Sequence, residues 1–183
     1  MTVTPQMDVL YMQGAGHVLG IFTRASELTQ IETDVSGFVG SDGLSLRGLL
    51  VPGKNVVIPQ SLIGIFRADR NWRQIFEPST LYMTGLPNSP ALMPIPNLTP
   101  FPGTTFATPN LKVTLAANAT LPVSIVVLAL GISGGVPGAF PAQIPSGQKV
   151  LTIPMVGLTS GNNYNAFVFV PTFQLAVLPF TAP

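Results

Sequence analysis

From Pro78 to Pro183 the chain carries only two charged side chains, Lys112 and Lys149, and no acidic residue follows Glu77. The other six of its eight Lys+Arg and all seven Asp+Glu fall within the first 77 residues. A soluble domain ordinarily has about a quarter of its residues charged, and interspersed charges keep solvated faces from associating. The same region is rich in apolar, strand-like runs, so it has the means to fold. A folded surface of this kind needs a cover: copies of itself, another subunit or a lipid face.

The totals narrow the class. At 183 residues the chain is long enough for one well-buried core, and a single β-domain over 1–183 is expected. Within it we distinguish a charged part (1–77), a proline-rich arm or loop (78–109) and a nearly charge-free β part (110–183). An apolar content of 46% and a mean hydropathy of +0.48 exclude a disordered chain, despite 19 Pro and 18 Gly. A net charge of +1 gives no general attraction to nucleic acid, and no sequence-specific nucleic-acid binding is expected. With no cysteine there is no disulfide, no thiol catalysis and no Cys-ligated metal. The first basic residue is Arg24, so the charged start of a secretory signal is missing. The longest apolar run, Leu121 to Ile132, is shorter than the roughly 20 residues of a membrane-spanning helix and reads as a buried strand.

Along the chain, strand patterns dominate. Residues 8–13 form a strand that ends in the turn Gly14-Ala15-Gly16. The string Leu19-Gly20-Ile21-Phe22-Thr23-Arg24-Ala25 recurs, one residue shorter, as Ile63-Gly64-Ile65-Phe66-Arg67-Ala68, and β-branched content makes both copies strands. A glycine within a strand admits a neighbouring side chain or backbone closely. Residues 30–39 and 44–51 read as a hairpin around Asp42-Gly43. Residues 69–77 are the one helix candidate, with Asp69 as cap and Pro78 as stop. The arm 78–109 has eight prolines but is greasy rather than polar, through Leu92, Met93, Ile95 and Phe101 among others. It is expected to lie extended on an apolar surface, its own or a neighbour's. Further strands are expected at 111–117, 123–130, 149–155, 165–170 and 172–178. Eight to ten short strands with Pro, Gly and Asn turns point to a sandwich, jelly roll or barrel, and an all-β single jelly roll or β-sandwich is the fold expected.

Catalytic patterns are present only as fragments. Gly131-Ile132-Ser133-Gly134-Gly135 matches the nucleophile elbow G-x-S-x-G, but Pro137 and Pro141 forbid the helix that must follow, and no acid or histidine lies downstream. Gly14-Ala15-Gly16 approaches a dinucleotide-binding turn, yet no βα alternation follows it. His17 is the only histidine, so one chain cannot build a multi-histidine metal site. Glu32, Asp34 and Asp42 lack calcium-loop spacing. No catalytic residue, cofactor or metal is therefore assigned, and the chain is not expected to be an enzyme. Arg67, Arg70 and Arg73 with Trp72 form the one basic cluster, suited to phosphate, lipid headgroups or a partner surface, or to local pairing with Asp69 and Glu77.

A charge-depleted β-domain with an apolar proline arm suits large obligate interfaces, and such an arm can exchange between neighbours. Length, all-β pattern, absence of cysteine and proline loading together resemble the small single-jelly-roll capsid proteins of tailless, membrane-containing icosahedral phages. The resemblance is one of overall character, and no site residue is carried over from it. It implies a coat subunit assembled in a host cytoplasm into a virion, with homo-oligomeric contacts, other coat subunits as partners and one end near an internal membrane. Leu92, Met93, Ile95 and Phe101 are the inter-subunit arm candidates. The alternative is a receptor- or carbohydrate-binding β-sandwich, with Trp72 and Asn71, or Tyr164 and Asn162, Asn163 and Asn165, as sugar-contact candidates.

Overall fold

The computed structural model describes residues 6–23, 39–40, 43–47, 55–58, 60–69, 81–85, 88–89, 91–94, 103–132 and 134–183. The chain divides into two compact units, Met1–Asn97 and Leu98–Pro183. The boundary falls inside the proline-rich segment.

In the first unit, β1 (Gln6–Met12) lies between β2 (Val18–Thr23) and β6 (Ile63–Asp69), all antiparallel. The two copies of the repeated string are thus the two strands that flank β1. Their registers differ by one residue: Leu10 faces Gly20 on one side, and Tyr11 faces Gly64 on the other. A bulge between Leu10 and Tyr11 on the β2 side accompanies the offset. Val9, Leu10 and Met12 are all fully buried, so β1 is covered on both faces, as a central strand should be. A second sheet, β3-β4-β5, comprises Val39–Gly40, Gly43–Arg47 and Asn55–Ile58, with one 3-10 turn at Gln60–Leu62. Strands β3 and β4 pair antiparallel, with Gly40 opposite Gly43; residues 41–42 between them lie outside the described ones.

The expected helix at 69–77 is met by strand at its first residue: Asp69 closes β6, and residues 70–77 lie outside the described ones. The described parts of the proline-rich segment are paired rather than free. Strands β7 (Leu81–Thr84) and β8 (Ala91–Pro94) form a hairpin, and β9 (Thr104–Ala107) joins the second unit's sheet. Prolines at strand ends and in turns permit this, because they leave each short ladder between them intact.

The second unit is a two-sheet sandwich. Strands β9, β10 (Asn110–Thr114) and β13 (Val150–Pro154) make one sheet, ordered β13-β10-β9. Strands β11 (Val123–Gly131), β12 (Gly138–Ile144), β14 (Asn163–Phe169) and β15 (Ala176–Thr181) make the other, ordered β12-β11-β14-β15. Lettered A to G along the unit, the sheets are A-B-E and D-C-F-G. The immunoglobulin constant arrangement is A-B-E-D against C-F-G; here the fourth strand pairs with the third instead. With three strands and four, the unit realises the expected all-β sandwich but not the two four-stranded sheets of a jelly roll.

Side chains from both sheets make one core. Leu111, Val113 and Ile153 from the first meet Ile125, Val127, Ile144, Ala166 and Val168 from the second. Phe106 of β9 packs on Phe180 of β15 at 4.4 Å between ring centroids, joining the two sheets at one side. Both edges of the larger sheet contain a proline, Pro141 in β12 and Pro179 in β15, and β13 ends on Pro154. Lysines and prolines are the common guards of sheet edges. With so few lysines to spend, this unit relies on proline.

Gly64 gives a direct test of the first unit's packing. The Tyr11 ring lies across it, occupying the space a Cβ would need. Gly64→Ala is expected to cost about 1–3 kcal/mol by overpacking, and Tyr11→Ala in the same chain should recover part of that loss. Denaturant titration of the two single variants and the double variant measures the coupling; strict additivity would show that the ring is not the obstacle.

Candidate functional site at the two ends of the C-terminal sandwich

The nine residues of β11 span roughly 30 Å, and the loops at its two ends differ in character. Before β11, residues 115–122 fold back on the 145–149 loop. Leu115 N–H donates to Lys149 O (2.8 Å), Ala119 N–H to Gln148 O (2.8 Å), and Gly147 N–H to Ala119 O (2.7 Å). Ser146 Oγ donates to Thr120 O at 2.9 Å. Together with the β14–β15 connection, residues 170–173, this loop walls a groove of about 390 Å³. Leu115, Leu121, Pro122, Val170, Pro171 and Phe173 give it an apolar lining. Leu121 is 74% exposed at its rim.

Thr172, also on the rim, has φ of 68°. Positive φ is a genuine outlier for a β-branched residue, and such strain persists only where the surroundings over-determine it. The turn that places it is closed by Phe173 N–H donating to Val170 O at 3.2 Å. The groove's shape is therefore held by hydrogen bonds on one wall and by a strained turn on the other.

After β11, residues 132 and 134–137 lead to β12, and Val136 is bonded to the 155–162 loop. The link is Tyr164, fully buried at the start of β14. Its Oη accepts from Thr159 N–H at 3.0 Å and donates to Val136 O at 3.2 Å, and Val136 N–H donates to Thr159 Oγ1 at 3.1 Å. A tyrosine in this position, bonded back to backbone a few residues upstream, is the corner device of immunoglobulin-type sandwiches. Its ring stacks on Phe180 at 5.6 Å. Gly135 is tied to the same spot, because a Cβ there would run into the Tyr164 hydroxyl. The end so braced is apolar outward: Ile132 is 46%, Val136 60% and Val156 68% exposed. Neither loop contains a charged residue.

The residues singled out from sequence are placed differently. Arg67 is half-buried on β6, opposite Asp8 in register; Arg70, Trp72 and Arg73 lie outside the described residues. Leu92 and Met93 belong to β8, opposite Met83 and Tyr82, while Ile95 and Phe101 lie outside the described residues. Neither group is brought together as a site among the described residues. Gly131 to Gly135 is the turn between β11 and β12, with strand rather than helix after it; Ser133 itself lies outside the described residues. Gly14 to Gly16 likewise leads into strand β2.

His17 is buried, its ring edge-on to Tyr82 at 5.5 Å. Tyr82 Oη donates to Ala15 O at 2.6 Å, and Met83 N–H donates to Gly16 O at 2.8 Å. These contacts give the histidine a packing role. Burial also removes Tyr164 as a sugar-stacking residue, since its ring has no free face. Among the described residues no three His, Cys, Asp or Glu stand close enough to hold a metal, and no helix is long and apolar enough to cross a membrane. No protein-family model matches the chain, and neither does any curated protein.

Sequence reasoning missed both ends. The corner tyrosine was open to discovery, as a Tyr opening a strand directly after the Gly161-Asn162-Asn163 turn. The groove had no such signal, because its walls come from segments about fifty residues apart.

Tyr164→Phe keeps the ring and removes both hydroxyl bonds, leaving Thr159 N–H and Val136 O short of a partner. A loss of about 1–3 kcal/mol is expected for buried groups so orphaned. Thermal and urea unfolding measure it, and unchanged stability would deny the corner its bracing role.

Proposed function

We propose that this chain is a structural subunit of a large self-assembling particle, with a viral capsid or coat protein as the specific reading. The observation that carries it is the surface of residues 98–183, which has Lys112 and Lys149 as its only charges. That surface also exposes Leu121, Ile132, Val136, Val156 and Val177. Interfaces are depleted in charge at their cores, and a monomer that kept such faces in water would have little to resist association. On this reading the partners are copies of the chain and other coat subunits, with an internal membrane as a further neighbour and the virion as its location. The greasy segment carrying Leu92, Met93, Ile95 and Phe101, and the Arg67, Arg70, Arg73 and Trp72 cluster, are proposed contacts with neighbours.

A second reading is a binding module. The groove between residues 115–123 and 170–173, rimmed by a strained Thr172, favours it, because loops at the end of such sandwiches are common recognition sites. A glycan array without hits would weigh against a carbohydrate ligand.

The native mass of the purified chain, with a negative-stain image, tests the first reading: discrete oligomers, sheets or shells are expected, and a dilute monomer that stays monomeric on concentration would refute it. The association should also hardly weaken between low and high salt, since contacts built from residues 98–183 offer few charges to screen. A steep loss of assembly with salt would move the interface to the charged first unit.

A further inference from the structure

The groove before β11 has an apolar lining and one cation rooted at its edge. The register of β10 with β13 sets Val113 opposite Leu151 and Thr114 opposite Val150. It carries on one step past both strands, where Leu115 N–H donates to Lys149 O at 2.8 Å. Lys149 is thus the cross-strand neighbour of Leu115, with about 5 Å between their Cβ atoms. Side chains alternate along a strand, so Lys149 shares the face of Leu151 and Ile153, which pack into the core. Leu115 lines the groove, whereas Lys149 is exposed. A lysine so placed lays its stem along apolar surface and keeps its ammonium group in water. Residues 98–183 contain no Asp or Glu to pair with it. We propose that the groove binds a single-chain anionic amphiphile, an acyl carboxylate, with its chain on Leu115, Leu121, Val170 and Phe173 and its carboxylate against Lys149. The proposal rests on the binding-module reading and names the ligand class of that same groove.

Size, lining and charge select this ligand. The volume of about 390 Å³ lies at the lower end of the roughly 300–1,000 Å³ of small-molecule sites, which suits one chain better than the paired tails of a bilayer lipid. The polar side chains of the lining, Asn118, Thr120 and Thr172, are all exposed. The backbone of its wall is bonded within the fold, through Leu115 N–H, Ala119 N–H and C=O, and Thr120 C=O. A chain laid there therefore strands none of these groups. The head is fixed by sign: Lys149 is the one charge at this end, so a carboxylate gains a charge-assisted hydrogen bond, a neutral head gains less and a cationic head is repelled. Thr172 adds an independent pointer, because its φ of 68° is the kind of backbone strain that gathers at ligand clamps.

The test uses the full chain and decanoate below its micelle concentration, with decanol and decyltrimethylammonium as neutral and cationic heads on the same chain. Titration calorimetry gives Kd, and amide chemical shifts locate the site. Decanoate is expected to bind tightest and the cationic head weakest. Each methylene added between octanoate and decanoate should tighten binding about three- to fourfold. Lys149→Met keeps an apolar stem and removes the charge; it should weaken decanoate about two- to fivefold, the worth of an exposed ion pair, and leave decanol unchanged. Leu121 is 74% exposed, so Leu121→Asp adds a solvated charge at the rim and should weaken decanoate more than decanol, whereas Leu121→Asn should weaken both alike. Lys149→Gln serves should Lys149→Met fail to fold, which circular dichroism reports. Equal affinity for decanoate and decanol, or a Lys149→Met loss common to both, would overturn the anionic head while leaving the groove as an apolar binding site. Shifts confined to residues away from 115–123, 149 and 170–173 would overturn the site. Should none of the three heads bind, the proposal falls, and the binding-module reading falls with it only when the glycan array is also empty. Binding to phosphatidylglycerol vesicles with none to free decanoate would assign this end to a membrane surface and overturn the proposal.

Discussion

The pairing of β11 with β14 is the constraint on which the C-terminal unit depends. From Val126 opposite Phe169 to Gly131 opposite Tyr164, six consecutive pairs hold the two strands together. Their alternate residues Val127, Ala129, Ala166 and Val168 fill the core, and those between, Val126, Leu128, Phe167 and Phe169, are buried too. A strand covered on both faces has no polar alternation and one tolerated register, since a slip by one residue would exchange every core side chain for its neighbour. The ladder therefore places both ends of the unit at once. At one end it delivers Val170 to the groove, and at the other it sets Tyr164 beside the loop it braces.

Around that ladder the unit manages a surface with almost no charge. Backbone groups in its loops are bonded to one another or to Ser146, Thr159 and Tyr164. What remains outward is threonine, asparagine, glutamine, proline and several large aliphatic side chains. Such a surface is tolerable where it is shared with a neighbour. The lysines at 112 and 149 are both exposed, Lys112 on β10 and Lys149 in the loop beside the groove, and the end braced by Tyr164 carries no charge.

Much of the fold was legible because strand periodicity and turn chemistry agree in this chain. The repeated apolar string did mark two strands, and the glycine inside its second copy does admit a ring, Tyr11. The strands on either side of Ser41-Asp42 do pair, Gly40 with Gly43. The misreadings trace to proline. No strand was expected at 138–144, and one was expected at 172–178 where the chain forms Ala176–Thr181; the observed strands contain Pro141 and Pro179. Both are edge strands, where a missing N–H breaks no ladder. The groove was illegible for another reason: closure of loops fifty residues apart is tertiary information that no local pattern encodes. Of the candidate residues, the arginine cluster and the arm were chosen by composition, which says what a segment can touch and not where it stands.

The prolines at the rims of the larger sheet have one more consequence. A coat or filament crowds its subunits to extreme local concentration, the condition under which open strands template cross-β growth. A lysine on a rim repels only while it is protonated and unscreened. An absent amide hydrogen cannot be titrated, shielded or exchanged, so Pro141 and Pro179 withhold a donor from an incoming strand in any solution. A particle built from this chain would be able to pack its subunits tightly without inviting them to zip.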